Sequence, residues 1–400
     1  MFRNIVVGLS GGVDSAVAAL LLKRKGFNVT AVFLRNWDTA DETGKCLADE
    51  DYKDAEYVAR KINIPLVEVN FVKEYWHEVF TYLLESYESG CTPNPDIMCN
   101  KNIKFKKFYD FARENLKADA IATGHYAISS FGPYLEDYKP GAKMKLLHAV
   151  DRKKDQTFFL SQVSQESLQR CMFPVGGLLK SDVKKLAIEA DLRAIAQKPE
   201  SMGICFIGTR TFQNFIPHYL ENKPGNFVNY DTGEVVAQHQ GIHYWTLGQR
   251  CRIAGAYEKF FVLRKDVKTN DILVVPGTDH PALFSRILVT SKPHWIREEP
   301  EQLIDSWTIL NCEYRFQRNE KLCPCIVYKS LSDKLIIISE REKRAISPGQ
   351  FVVLYLNDEC LGSAPIVHTG PSLHSLGATR ASSDSEDSDG FLEASINSVN

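Results

Sequence analysis

Residues Gly8, Leu9, Ser10, Gly11, Gly12, Val13, Asp14 and Ser15 read G-L-S-G-G-V-D-S, a glycine turn between an apolar strand and a helix that begins near Val13. Glycine takes positive φ freely and has no Cβ, so at Gly11 and Gly12 backbone N–H groups can approach an anion while the helix N-terminus adds partial positive charge. That is the chemistry of a pyrophosphate cradle. A loop built for γ-phosphate transfer has the form G-x-x-x-x-G-K-[ST], and no such run occurs in the chain. Two serines and Asp14 instead supply donors and a ligand for Mg2+. Such a set suits holding β,γ-pyrophosphate as a leaving group while the α-phosphate reacts. The plain alternative is a glycine-rich strand-to-helix turn with no ligand.

A second chemical segment is Cys91 to Phe105, C-T-P-N-P-D-I-M-C-N-K-N-I-K-F. Pro93 and Pro95 stiffen its approach, and the spacing predicts Asp96 as the cap of a helix whose first turn holds Cys99 on the same face. A helix N-terminus with Lys101 and Lys104 nearby favours a thiolate, whereas an ionised Asp96 opposes it. The opposition points to proton exchange between Asp96 and Cys99. The bland account is a capping aspartate followed by a buried cysteine. Cys205, in S-M-G-I-C-F-I-G, reads by itself as an inert core cysteine.

The elements that must hold these residues follow from periodicity. The chain has 400 residues with 44% hydrophobic content, enough for two or three domains. Up to about Cys205, β-branched runs alternate with amphipathic stretches, the pattern of a parallel sheet covered by helices. Strands are predicted at Ile5 to Leu9, Val29 to Leu34, Leu66 to Asn70, Ala120 to Thr123 and Leu146 to Ala149, with helices at Val13 to Lys25, Leu47 to Ile62, Glu74 to Tyr87 and Ile103 to Leu116. Ligands of such sheets bind beyond the strands' carboxyl ends, where Ser10, Leu34 and Gly124 converge. After Pro217 closely spaced strand-like runs and the Asp231-Thr232-Gly233 turn predict a small β domain, followed by a second, barrel-like β module. The predicted division is 1–210, 211–278 and 279–370, with a disordered serine- and acid-rich tail at 371–400.

Composition narrows the class. The net charge is −2, of which the last thirty residues hold five acidic groups and one arginine, a net −4, so the remainder carries +2. This excludes indiscriminate nucleic-acid binding but leaves room for local basic patches at Lys101, Lys104, Lys106, Lys107 and at Arg152, Lys153, Lys154. No apolar run approaches a membrane span, and a strand starting within M-F-R-N-I-V-V-G leaves no room for a signal or transit peptide. Ten irregularly spaced cysteines indicate a reducing compartment, and Cys323-Pro324-Cys325 lacks zinc-site spacing.

Six segments in order, S-G-G-V-D-S, T-P-N-P-D-I-M-C-N-K-N-I-K-F, T-G-H-Y-A, D-Q-T-F-F-L, G-I-C-F-I-G and Y-W-T-L-G-Q-R, resemble the tRNA-specific 2-thiouridylase family of the PP-loop ATP pyrophosphatase superfamily. The resemblance spans residues 1 to about 370. It implies an α/β fold: a parallel-sheet PP-loop domain of the adenine nucleotide alpha hydrolase type, followed by two small β domains. It also implies ATP with Mg2+ at Gly8 to Ser15, Leu34 and Gly124. The target uridine would meet Asn94, Pro95 and Asp96. Cys99 would be the nucleophile and Cys205 the persulfide carrier. Contacts to tRNA would come from His125, Lys154, Asp155, Gln156, Arg315, Phe316 and Gln350. The implied reaction replaces the C2 oxygen of a wobble uridine with sulfur, and the implied partners are the tRNA anticodon loop and a persulfide donor protein.

Met202 and the stretch C-R-I-A-G-A-Y-E-K-F-F after Gly248-Gln249-Arg250 depart from the bacterial pattern. F-P-V-G-G-L-L-K, D-H-P-A-L-F and the acidic tail are similar to animal mitochondrial members, which implies mitochondria. Three other readings remain. One is an iron–sulfur cluster held by Cys99, Cys205 and Asp96 that delivers sulfide. The others are an amide-forming PP-loop ligase and an ATP-responsive RNA-binding module without catalysis.

Overall fold

A computed structural model describes residues 2–38, 47–199, 212–304 and 308–378. Through residue 199 the strands are β1 (Asn4–Gly8), β2 (Asn28–Arg35), β3 (Leu66–Asn70), β4 (Ala120–Ala122), β5 (Ile128–Ser129), β6 (Leu146–Leu147) and β7 (Cys171–Met172). The first four and β7 form a parallel sheet in the order β3-β2-β1-β4-β7. Ile5, Val6 and Val7 are buried in a run, as expected for a strand covered on both faces. Helix Val13–Arg24 is alanine-rich and largely buried, with Asp14 in its first turn and Lys23 and Arg24 in its last, the charge order its dipole favours. Strand order reverses between β1 and β4, so the sheet's crevice opens beside Gly8 and Gly124.

Leu146 to Ala149 is not a strand of this sheet. Instead β6 pairs antiparallel with β5 and, through Leu146↔Cys360 and Leu147↔Glu359, with the C-terminal barrel. The fifth parallel strand is β7, whose two residues are too short to leave a periodic signal.

The central domain comprises β8 (Gly225–Asn229), β9 (Val235–His239), β10 (Arg250–Cys251), β11 (Phe260–Asp266) and β12 (Asp271–Pro276), ordered β10-β11-β12-β8-β9. The β8–β9 hairpin turns where expected, with Gly233 at φ +75°. The last domain has β13 (Phe284–Thr290), β14 (His294–Trp295), β15 (Leu310–Arg315), β16 (Cys323–Lys329), β17 (Leu335–Arg344), β18 (Phe351–Leu356) and β19 (Glu359–Thr369). Pairing of β13 with both β17 and β19 closes it into a barrel. The chain beyond 370 starts ordered: Ser372 bridges Ser285, and Leu373 is buried beside Val275 and Phe284. One apolar side chain and one bridge extend the barrel where composition predicted disorder; residues 379–400 lie outside the described ones. No helix among the described residues is long and apolar enough to cross a membrane.

The barrel shares the N-terminal core. Ile296, Phe351, Val353, Tyr355 and Cys360 pack into the same apolar cluster as β1 and the helices around it. A buried polar network crosses the joint: the Asp155 carboxylate accepts hydrogen bonds from Thr157 Oγ1 (2.5 Å) and Arg315 Nη2 (3.2 Å) and lies 2.8 Å from His148 Nδ1. Burial pushes the Asp155 carboxyl up, but the His148 and Thr157 hydrogen bonds and the Arg315 charge outweigh it and hold the group below the usual range. A carboxylate with a depressed folded pKa stabilises the fold above its unfolded value of about 3.9 and loses that contribution as pH falls through the folded value. Asp155→Ala leaves the buried Arg315 guanidinium without its counter-charge. The expected loss is about 3–5 kcal/mol at pH 7, read by urea unfolding, and it shrinks in acid as the wild type loses the same interaction.

Candidate active site

The glycine turn is held by its own serines. Ser10 N–H donates to Ser15 Oγ (3.2 Å), the two hydroxyls lie 3.1 Å apart, and Ser15 Oγ donates to the Gly12 carbonyl at 3.0 Å. Gly11 has φ +78°, and a Cβ there would come within 2.5 Å of the Asp51 carbonyl oxygen. Gly12 does not share this conformation; its φ is −83° and it is the N-cap of helix Val13–Arg24, with no side chain closing the helix end. At Gly124 a Cβ would sit 2.5 Å from Ser15 N, so the chain leaving β4 passes directly against the helix start. Half-buried Leu34 ends the same side of β2. A left-handed turn, an uncapped helix end and a close backbone approach fit a pyrophosphate.

The cation absent from the loop arrives from elsewhere. Lys180, the first residue of helix Lys180–Glu189, is 9% exposed and places Nζ 2.7 Å from both Asp14 carboxylate oxygens. Tyr126 OH donates to Asp14 Oδ1 at 2.8 Å. Asp14, the expected Mg2+ ligand, is therefore already bonded by an ammonium and a phenol. Sequence reasoning missed Lys180, although a lysine opening a helix opposes the dipole and is a signal that another interaction governs it.

The second segment begins with Asn94, not Asp96, as the cap: Asn94 Oδ1 accepts from Ile97 N–H at 3.2 Å and Pro95 takes the first helical position. An amide at Asn94 can cap without adding charge, leaving Asp96 in the first turn. Cys99 is buried, and the helix passes into π register from Cys99 to Lys107. Asn100 Nδ2 donates to the Asp96 carbonyl at 2.9 Å, while its Oδ1 is buried with no hydrogen-bond partner among the described residues. Burial pushes the Asp96 carboxyl up, only partly offset by Lys104 and Arg318. Lys101 does not attend Cys99; its ammonium donates to Gln162 at 3.1 Å. Lys106 and Lys107 pair with Asp110 and Glu78 as a solvated face.

This helix lies against the glycine-turn end of the sheet. A Cβ on Gly8 would touch the Phe108 ring at 3.5 Å, and the Phe105 and His125 rings are 5.4 Å apart. Burial, then the Lys104 charge, pushes His125 down to about 3, so it is a neutral hydrogen-bonding group and not a phosphate-pairing cation. Its Nδ1 lies 3.0 Å from Thr123 Oγ1.

The barrel reaches the same place. Gln350 Nε2 donates to the carbonyls of Thr92 (3.0 Å) and Pro93 (3.2 Å), and Asn94 Nδ2 donates to Gln350 Oε1 at 3.4 Å. Gln156 Oε1 accepts from Tyr126 N–H at 2.9 Å, and Lys154 lies two residues away in the same loop. The structure thus unites Asn94, Pro95, Asp96, Cys99 and Gln350. The side chains of Asp155, Arg315 and Phe316, expected on tRNA, are instead interior at 2%, 7% and 1% exposure, because the joint between domains uses them. Cys205 lies outside the described residues. The described chain on one side of it is tied down at Lys198, 2.7 Å from Asp51 and 2.6 Å from Asp54, beside Gly11; on the other, Phe212 packs on Tyr87 with rings 4.9 Å apart. Among the described residues no three His, Cys, Asp or Glu side chains gather as a metal site.

An Asp whose folded pKa is raised stabilises the fold below its unfolded value and loses that contribution as pH rises through the folded one. Asp96→Asn is accordingly expected to gain stability relative to wild type at pH 7 and not at pH 3.5, as measured by paired urea titrations.

Comparison with known proteins gives one answer. The family described as tRNA methyl transferase HUP domain matches residues 3–209, a tRNA methyl transferase PRC-barrel domain matches 213–276, and an aminomethyltransferase beta-barrel domain matches 285–366. The chain is similar to mitochondrial tRNA-specific 2-thiouridylase 1 of Homo sapiens, 47% identical over 389 residues covering 94% of this chain and 92% of that one. The Drosophila melanogaster protein of the same name is 47% identical over 93% of this chain and 95% of its own. The tRNA-specific 2-thiouridylase MnmA of Alkaliphilus oremlandii is 45% identical over 91% and 96%.

Proposed function

Because this chain belongs to the tRNA-specific 2-thiouridylase family and is an enzyme of that class, we propose that it uses ATP to replace the C2 oxygen of the wobble uridine of tRNA with sulfur. One observation carries the reading. The helix bearing Asp96 and Cys99 packs on the same sheet end as the open glycine turn, with Phe108 against Gly8 and Phe105 against His125.

A pyrimidine C2 oxygen is a poor leaving group, so it must first be activated. The Gly11 to Ser15 turn and Lys180 hold the β,γ-phosphates; the uridine oxygen attacks the α-phosphorus, the bond to the β-phosphate oxygen breaks, and pyrophosphate leaves. Asp14 would hold Mg2+ once Lys180 moves to phosphate, and the ion would supply neutralisation of phosphate charge. A persulfide on Cys205 supplies sulfur. The Cys99 thiolate attacks Cys205 Sγ, the bond from Sγ to the outer sulfur breaks, a Cys99–Cys205 disulfide forms, and the outer sulfur departs as hydrosulfide. Hydrosulfide adds at C2, AMP leaves with the original oxygen, and the sulfur's proton passes to Asp96. A dithiol reductant restores both cysteines. Asn94 and Gln350 receive the uridine, which must leave the anticodon stack to arrive. The words "methyl transferase" in the family descriptions fit less well, since methyl transfer gives a pyrophosphate turn no task. The names of the animal relatives support action in mitochondria, and loading Cys205 with a persulfide calls for a persulfide donor protein as partner.

Mass spectrometry of the wobble nucleoside after a single turnover tests the scheme. Cys99→Ser and Cys205→Ser are each expected to yield no 2-thiouridine while ATP–pyrophosphate exchange with tRNA persists; dependence on only one cysteine rejects the disulfide route. Lys180→Ala is expected to slow that exchange by about 10²–10³-fold.

A further inference from the structure

The loop from Asp151 to Gln156, which carries basic residues Arg152, Lys153 and Lys154, is bonded to the glycine turn along two separate routes. In the first, Tyr126 OH donates to Asp14 Oδ1 at 2.8 Å, while the Tyr126 backbone is clasped by Gln156: its N–H donates to Gln156 Oε1 and its carbonyl accepts from Gln156 N–H, both at 2.9 Å. In the second, Lys180 Nζ holds both Asp14 oxygens at 2.7 Å, and Lys180 N–H donates to Asp151 Oδ2 at 3.0 Å. The other Asp151 oxygen accepts from the N–H groups of Lys153 (3.1 Å) and Lys154 (3.3 Å), so one carboxylate sets both the helix start and the basic turn. Tyr126 is 2% exposed and Lys180 9%. The backbone between the routes has no slack: at Gly176 a Cβ would lie 1.7 Å from the Ala127 carbonyl oxygen, and Val150 N–H donates to the Gly176 carbonyl.

We propose that Asp151 and Tyr126 are positioning residues that couple the 151–156 turn to the nucleotide turn, so that tRNA and ATP bind cooperatively. The inference rests on the function proposed above and deepens it. Its two states are chemically distinct. In this structure Lys180 and Tyr126 satisfy Asp14; a polyphosphate at Gly11 to Ser15 draws the Lys180 ammonium from the carboxylate to itself. Asp151 fixes the backbone from which the Lys180 side chain reaches, so a shift of the 151–154 turn, whose Lys153 and Lys154 N–H groups bond the same carboxylate, changes where the ammonium rests. RNA phosphates gripping that turn bias the same equilibrium from the other end. Two ligands that favour one arrangement of a shared hydrogen-bond network must favour each other, by equal factors. The consequence is chemical economy: ATP is held in its reactive arrangement chiefly when a tRNA is present.

The test measures binding of a non-hydrolysable ATP analogue and of an anticodon stem–loop RNA to the full chain, each alone and with the other saturating. Wild type is expected to bind each ligand about tenfold tighter in the presence of the other, within the usual range of coupling energies. Tyr126→Phe, which removes one hydroxyl, and Asp151→Ala should each bring that factor to about two or less while both ligands still bind. A structural role alone would weaken each ligand by itself and leave the factor intact. A factor near one in wild type, or one unchanged in Tyr126→Phe, overturns the proposal. RNA that fails to bind wild type under any condition overturns the proposed function instead.

Discussion

An ammonium with nine-tenths of its surface hidden must have a counter-charge, and Asp14 supplies it to Lys180. The pair stands at an uncapped helix N-terminus, itself a partial positive charge. One carboxylate therefore faces an ammonium and a helix end, a site with surplus positive potential shaped by a left-handed glycine. A polyphosphate satisfies that surplus better than water does, because its oxygens reach the ammonium and the backbone N–H groups together. The rest of the N-terminal domain keeps this geometry: β1 delivers the turn, β4 braces it at Gly124, and the helix of Lys180 closes it.

The barrel is structurally continuous with the N-terminal domain and with the segment that carries Cys99. Strands β5 and β6 leave the N-terminal domain to pair with β19, a buried network centred on Asp155 ties the two, and Gln350 fastens the strap that leads to Cys99. Each tie is buried or half-buried, where a hydrogen bond lost without replacement costs the full desolvation of its partner. Residues that a tRNA-centred view puts on the outside, Asp155, Arg315 and Phe316, are there to hold two domains in register.

The segment around Cys99 shows why a neutral cap matters. Asn94 closes the helix and at the same time bonds the barrel, so Asp96 is free to sit in a poorly solvated place where its proton is held more tightly. A carboxyl in that state holds its proton to higher pH than a solvated one.

The sequence by itself determined what is local. The glycine turn, the alternating β and α pattern to about residue 199, the β8–β9 turn and the Pro-stiffened approach to Cys99 all follow from neighbouring residues, whose φ/ψ limits and apolar spacing act over a few positions. What spans the chain was decided by tertiary structure: that β6 serves the barrel, that β7 completes the parallel sheet, that Asn94 outcompetes Asp96 for the cap, and that Lys180 stands in the loop's missing lysine position, 166 residues from Asp14. Two-residue strands have no period to read, and a buried charge reveals its partner only when folding removes the water that would otherwise have served.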